Sequence, residues 1–550
     1  MTVKNWLLGC GGILGLGWPG AAIAQTVLDR VDPSKLEVGV PKDEQRRGDA
    51  VIGTPPVGVS EPVGARNAIT VGAIALSGLE RLRASDFADI FEAYVGRTVS
   101  PDGLRALTDA IAGRARDRGY VFAQASIAPQ AIAAGVLRVI VDEGRIDEVR
   151  LRGAPNDAAR AALAPLVGAG PVTMADLERR LLIAGDVDGI WVRSTQFVRE
   201  GTRNILVVEV NVDRIGGYLG LDNSGSRPIG PIQLDLSIRV AQLLAADDLV
   251  TFSALATPAE PNEFAYARVR YGKRISRSGT EMSLAASFSR ARPGSYLASR
   301  DIEGRSWNLT LATLHPVIRR REESLWLEGS FGMRTVVQDR ADLRARRDRL
   351  VVARIGTYGF VATPGGRLRA NLTVSQGLDL FDATRRRDPL ASRRDASGRF
   401  TTVAASFDWT MKPVGGVSAQ LGVATQLAAQ PLLVSEETGL GGGSFLRGYD
   451  YSERIGDRGA MASAELRYDP AARIGPFRKP RLYAFVDGGY VENLRGGSGG
   501  GSLFSTGGGA RAGIGASTTA DVGIAVPLSG PRYDSGDASP IVNFRLSRRF

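Results

Sequence analysis

From about residue 214 to the C-terminus the chain alternates. RLRANLTVS (367–375) sets Leu368, Ala370, Leu372 and Val374 against Arg367, Arg369, Asn371 and Thr373. SWNLTLAT (306–313) sets Trp307, Leu309 and Leu311 against Ser306, Asn308 and Thr310, and VSAQLGVAT (417–425) and IVNFRLSRRF (541–550) do likewise. A period of two places successive side chains on opposite faces of a strand. One such segment also suits a soluble sandwich. Many of them, separated by polar loops, suit a closed antiparallel barrel with a lipid-facing exterior and a polar lumen. At roughly 10 residues per strand plus turns, residues 214–550 hold about 14–18 strands.

The start of the chain points to export. Lys4 precedes an apolar run from Trp6 to Ala24 that ends in Ala22-Ile23-Ala24 before Gln25. A charged start, an apolar stretch and a small-x-small cleavage site predict removal of residues 1–24 as a signal peptide. Leu7-Leu8-Gly9-Cys10 resembles a lipoprotein box, but too few residues precede the cysteine for a full apolar stretch. Cys10 is the only cysteine, so the processed chain is expected to carry no thiol. Beyond the signal no apolar run approaches 18 residues, so no transmembrane helix is expected. A barrel is the other way to cross, because closure pairs every backbone group.

Residue types exclude most chemistry. The single histidine, His315, leaves no material for a Ser-His-Asp triad, an HExxH helix or a Cys/His zinc site. It reads as a polar residue near a strand end, before Pro316. No catalytic residue, metal or cofactor is expected, and the chain does not read as an enzyme. The net charge of +11 raises nucleic acid as a partner class. The arginines, however, are scattered through alternating segments instead of clustering on one helix, so no nucleic-acid partner is expected.

Residues 25–66 are polar and end in the Pro/Gly-rich linker GTPPVGVSEPVG (53–64). A short helix fits between Val27 and Arg47, although Pro33 and Pro41 interrupt it. Residues 67–143 then read as β-α-α-β-β. AITVGAIAL (68–76) is a strand, a helix is capped by Ser85 with Phe87, Ile90, Phe91 and Tyr94 on one face, and a second helix starts at Ser100-Pro101. Its stripe is Leu104, Leu107 and Ile111, and the strands VFAQASIA (121–128) and GVLRVIVDEG (135–144) follow. Residues 144–213 repeat this order, with a helix capped by Thr173 and strands near 194–199 and 204–212. A repeat of roughly 70 residues implies two small α+β modules ahead of the barrel.

Several motifs accompany this order: LRVIVDEGRIDEVRLRG (137–153) where the modules join, LGLDNSGSRPIGP (219–231) at the first barrel strands, LGGGSFLRGYD with GDRGA and AELRYD (440–469), AFVDGGYV (484–491) and the terminal Phe550. Together they resemble the two-partner secretion transporters, the haemolysin/filamentous-haemagglutinin translocator family of the POTRA-plus-barrel superfamily. The resemblance implies two α+β POTRA domains in the periplasm, a 16-strand transmembrane antiparallel β-barrel in the outer membrane and an N-terminal plug helix. It implies secretion, and activation, of one large β-helical adhesin or cytolysin. Partners would be that secreted exoprotein, outer-membrane lipid and periplasmic chaperones. An outer-membrane barrel-assembly factor is the alternative within the superfamily.

The family's loop bearing Arg447, Gly448 and Tyr449 folds back into the lumen, where its arginine pairs with the aspartate of an F-x-D-x-G strand. Here that strand carries Phe485, Asp487 and Gly489. Strand parity agrees, since Val486 facing lipid turns Asp487 into the lumen, where a guanidinium can engage it. Module strand edges around Val121, Ala125 and Thr195 are candidates for binding an extended passenger. Arg367 and Arg369 are expected to project into the lumen. Two departures from the family pattern stand out: thin apolar periodicity in the plug region, and Arg548 in the terminal strand.

Overall fold

The computed structural model describes residues 27–36, 68–130, 135–201, 203–443, 445–471, 475 and 477–550. The signal segment 1–24 and the linker 53–64 lie outside these residues. Two single-turn helices open the described chain, α1 (Val27–Arg30) and α2 (Pro33–Leu36). They break where Pro33 follows Asp32, whose carboxylate accepts from the Ser34 backbone at 2.9 Å.

The first module contains β1 (Ile69–Val71), β2 (Ala73–Ser77), α3 (Ala88–Tyr94), β3 (Arg97–Val99), α4 (Pro101–Asp117), β4 (Gln124–Ser126) and β5 (Val136–Asp142). The single strand expected over 68–76 is two strands, split at Gly72, whose N–H bonds the Gly135 carbonyl at 2.7 Å. β1 pairs with β3, whereas β2 pairs in parallel with β5. Ser85 is not a cap. A 3-10 turn, Ala84–Phe87, begins after Arg83, whose N–H donates to the Asp86 carboxylate at 2.9 Å. α4 starts as its sequence dictates: Ser100 accepts from the Gly103 N–H at 3.2 Å and Leu104, Leu107 and Ile111 are buried. The strand expected over 121–128 is confined to β4, because Val121 lies in the turn that follows α4.

The second module contains β6 (Glu148–Gly153), α5 (Asp157–Leu163), α6 (Met174–Gly185), β7 (Ile190–Glu200) and β8 (Arg203–Val212). Its sheet order β6-β8-β7 repeats the β2-β5-β4 order of the first, with the last strand central and parallel to the first. Thr173 caps α6, accepting from the Asp176 N–H at 3.1 Å. Phe122 of the first module belongs to the core of the second and stacks on Phe197 at 4.2 Å between ring centroids. An aromatic ring of one module packed in the core of the other couples the two.

Among the described residues sixteen strands, from Ile215–Asp222 to Ile541–Arg549, form a closed barrel in which the last strand pairs with the first. That closing ladder, from Arg545–Asp222 to Arg549–Tyr218, is the shortest in the barrel. Alternation sorts the side chains: Trp307, Leu309 and Leu311 are exposed on the outside, while Ser306 and Ser289 are buried on the inside. Arg548 shares the outward face of Leu546 and Phe550 close to the strand end, where a long side chain reaches water. His315 sits near a strand end and shares a 2.9 Å hydrogen bond with Thr280.

α6 fixes the polarity of the barrel. Asp186, just after α6, receives Arg319 Nε and Nη2 at 2.8 and 2.7 Å, with both side chains 3 % exposed. Arg274 also donates to the Asp186 carbonyl, and Arg179 reaches the Val317 and Pro316 carbonyls at 2.9 and 3.0 Å. The short turns therefore lie on the module side. The long loops open at the opposite end, including the fifth (378–400), sixth (429–457) and seventh (493–500).

Candidate functional site: the lumen loop and its clasp

The sixth loop descends into the barrel as a short hairpin, Thr438–Leu440 against Arg454–Gly456. Its tip takes left-handed backbone, which glycine adopts freely and leucine only under strain. Gly441 and Gly442 have φ of 113° and 98°, and Leu446, fully buried, has φ of 63°. The Tyr449 N–H bonds the Leu446 carbonyl at 3.0 Å, closing the turn that presents Arg447.

Arg447 meets Asp487 through three bonds: backbone N and Nε to Oδ2 at 3.1 and 3.0 Å, and Nη2 to Oδ1 at 2.9 Å. Asp487 is 1 % exposed on the strand Phe477–Glu492. Ser463 donates to the same carboxylate at 2.7 Å. Arg447 Nη1 bonds Glu465, which Arg467 neutralises at 2.7 Å. Two guanidinium groups and two carboxylates thus alternate in a line, which is how buried charge is kept compensated. The guanidinium carbon also lies 3.5 Å from the Phe485 ring centroid.

The glycines make room. A Cβ on Gly448 would sit 2.9 Å from Ser505 Cβ and 3.0 Å from Pro527 N, so the loop backbone rests directly on the wall. A Cβ on Gly489 would meet the Leu440 side chain at 2.8 Å. Tyr449 is buried with Leu440, Leu446, Val491 and Leu503, and its hydroxyl accepts from the Ser529 N–H at 2.9 Å. Arg447, Gly448, Tyr449, Phe485, Asp487 and Gly489 therefore form one constellation.

The opposite wall holds the N-terminal segment. Val31 is buried among Ile229, Phe264, Tyr266 and Ile302, Gln338 donates to the Leu28 carbonyl at 2.7 Å, and Arg346 pairs with Asp29. Sequence periodicity offers this segment little support, because the fit rests on Leu28 and Val31, one ion pair and a backbone carbonyl instead of a helical stripe.

The module candidates are less unified. Ala125 is buried at the centre of β4, an outer strand, and Thr195 lies opposite Val208 in β7, the outer strand of the second sheet. The two strands are neighbours, since Arg199 reaches Gln124 at 3.0 Å. Val121 belongs to neither strand and packs on the core of the second module. Of the lumen arginines named from sequence, Arg369 lies 3.8 Å from Asp408 and Arg367 stacks over Phe360 at 4.6 Å. Glu465 and Ser463 received no role from sequence, although AELRYD contains the glutamate.

Comparison with known proteins agrees with this architecture. The family model of the haemolysin secretion/activation protein ShlB/FhaC/HecB matches residues 201–512. The chain belongs to this family. A ShlB-type POTRA model matches residues 69–144. The heme/hemopexin transporter protein HuxB of Haemophilus influenzae is 22% identical over 419 residues, 74% of each chain. The outer membrane transporter CdiB of Escherichia coli is 26% identical over 238 residues, 42% of this chain and 40% of that one. The solved structure of CdiB from Escherichia coli superposes with a TM-score of 0.72 at 20% identity, covering 90% of this chain and 94% of that one. BamA from Haemophilus ducreyi lacking POTRA domains 1-3 gives 0.53 at 13% identity, over 88% and 100% of the chains, a likeness of fold alone. The protein is a two-partner secretion transporter of the outer membrane with its POTRA domain in the periplasm, a reading the family match favours over barrel assembly.

Proposed function

We propose that this transporter secretes a single large β-helical exoprotein, an adhesin or cytolysin, through its own lumen, with the Arg447 loop as the gate. The observation that carries this reading is the compensated charge line of Arg447, Asp487, Glu465 and Arg467, which anchors a removable loop to the wall of the barrel. A processed chain would comprise the segment 25–66, POTRA domains over 67–143 and 144–213, and the barrel 214–550, after loss of residues 1–24. The outer strands bearing Ala125 and Thr195 would receive the unfolded passenger by strand addition, delivered by periplasmic chaperones. No covalent chemistry is assigned to the chain. Export would draw on passenger folding outside, since burial of β-helical repeats biases motion outward. Gating is then a population shift that requires the passenger to bind the open state more tightly.

The test is deletion of the transporter in its host, followed by assay of the large exported protein encoded beside it. That protein should accumulate in the periplasm and return to the medium on complementation. Undiminished release from the deletion strain would refute the assignment.

A further inference from the structure

The GDRGA motif (456–460) is left without a role by the Arg447 clasp, and its aspartate is the most buried carboxylate of the outer mouth. Asp457 is fully buried. One carboxylate oxygen accepts from the Leu432 N–H at 2.7 Å and the other from the Leu494 N–H at 2.7 Å. Its charge partner comes from a different loop. Arg393, in the fifth loop, places Nη1 2.8 Å from Asp457 and 2.6 Å from Glu437. The same nitrogen lies 3.2 Å from Asn493 Oδ1, and Nη2 donates to the Leu494 carbonyl at 3.0 Å. The Arg393 side chain is 9 % exposed and those of Glu437 and Asp457 1 % or less, while Asp395 of its own loop, 25 % exposed, also pairs with it at 3.1 Å.

Glu437 and Asp457 are the two feet of the sixth loop, flanking the hairpin that carries Arg447. Two carboxylates close enough to share one nitrogen repel when nothing lies between them, and burial strengthens the repulsion. We propose that Arg393 is a second positioning residue for the gate loop: it latches the feet together at the outer mouth, and the mouth opens by parting the fifth loop from the sixth. This rests on the transport reading above. The Arg447 clasp holds the tip to the barrel wall, whereas the Arg393 latch holds the base to two surface loops, so the two act on different ends of one element.

The test uses Ser435→Cys, a buried position one residue from Glu436 in the sixth loop, in the full chain on intact cells with a membrane-impermeant maleimide. The sequence otherwise holds only Cys10. Labelling should be slow with Arg393 present and at least tenfold faster with R393Q. Adding Glu437→Gln to R393Q should slow it again, because one of the two repelling charges is gone. A residue that merely filled space would not be rescued in this way. Labelling unchanged by R393Q, or fast in the double variant, overturns the proposal.

Should R393Q fail to insert, Ser392→Cys with Val434→Cys tests the same claim, since the Val434 N–H donates to Ser392 Oγ at 3.1 Å across the two loops. Secretion should fall at least tenfold when this pair is oxidised and recover on reduction. Equal secretion in both states overturns the latch. Secretion by the reduced pair upholds the transport reading whichever way the oxidised arm falls.

Discussion

Arg447 and Asp487 are joined by both ends of the arginine: its backbone N–H and its guanidinium grip one carboxylate. The tip of the loop is therefore held in position and in orientation at once, and a lysine could reproduce the charge without the fork.

Arg447→Ala should leave an inserted barrel that keeps its heat-dependent shift on gels, because the ladder hydrogen bonds are untouched. Breaking a buried pair costs roughly 3–5 kcal/mol by leaving the other charge uncompensated. Secretion should fall because the loop loses its anchor and its tip no longer returns to one position on the barrel wall. Asp487→Ala should behave alike, and the double variant should be little worse than either single change. Strictly additive losses would show that the two residues act apart.

Gly448→Ala separates contact from charge. The added methyl would meet Ser505 and the backbone at Pro527, an overpacking cost of about 1–3 kcal/mol. The tip should lift while Arg447 keeps its charge, and limited proteolysis of the sixth loop should become faster than in the native chain. Equal cleavage rates would show that the tip does not bear on the wall.

Asp186→Ala addresses the joint between the second module and the barrel. Arg319 would be left buried without its carboxylate, a cost of roughly 3–5 kcal/mol. Hydrogen exchange should quicken in α6 and in the turn around 320–322, with the barrel strands unchanged. Unaltered exchange at α6 would mean that other contacts fix the module.

Phe122→Ala empties the ring site between the modules. Loss of a buried phenylalanine costs about 3–5 kcal/mol. Exchange should rise in β4 and β7 together, since Phe122 stacks on Phe197. A rise in β4 alone would show that the modules are not coupled through this ring.

Much of this architecture is legible in local patterns. Alternation in 306–313 and 367–375 gives the barrel its two faces, and Ser100-Pro101 and Thr173 mark helix starts by side-chain capping. The split at Gly72 and the shortening of β4 are not legible, because each depends on which sheet a residue joins, and that is decided by partners distant in the chain. Arg447 and Asp487 emerge from parity and from family motifs. Glu465, in the strand Arg458–Tyr468, and Arg393, in the fifth loop, do not, since a charged residue looks the same in sequence whether it meets water or a buried ion pair.

The short closing ladder has a consequence for biogenesis. Its pairs, such as Arg545 with Asp222, join positions farther apart in the chain than any other barrel ladder. Contacts across the longest sequence separation carry the largest chain-closure cost and form late. Until they form, the strands Ile215–Asp222 and Ile541–Arg549 are both open edges, able to pair with foreign chains. The nascent barrel therefore enters its final step with both edge strands unpaired, and the C-terminal residue is among the last to find its partner, the Phe550 N–H bonding the Gly217 carbonyl at 3.1 Å.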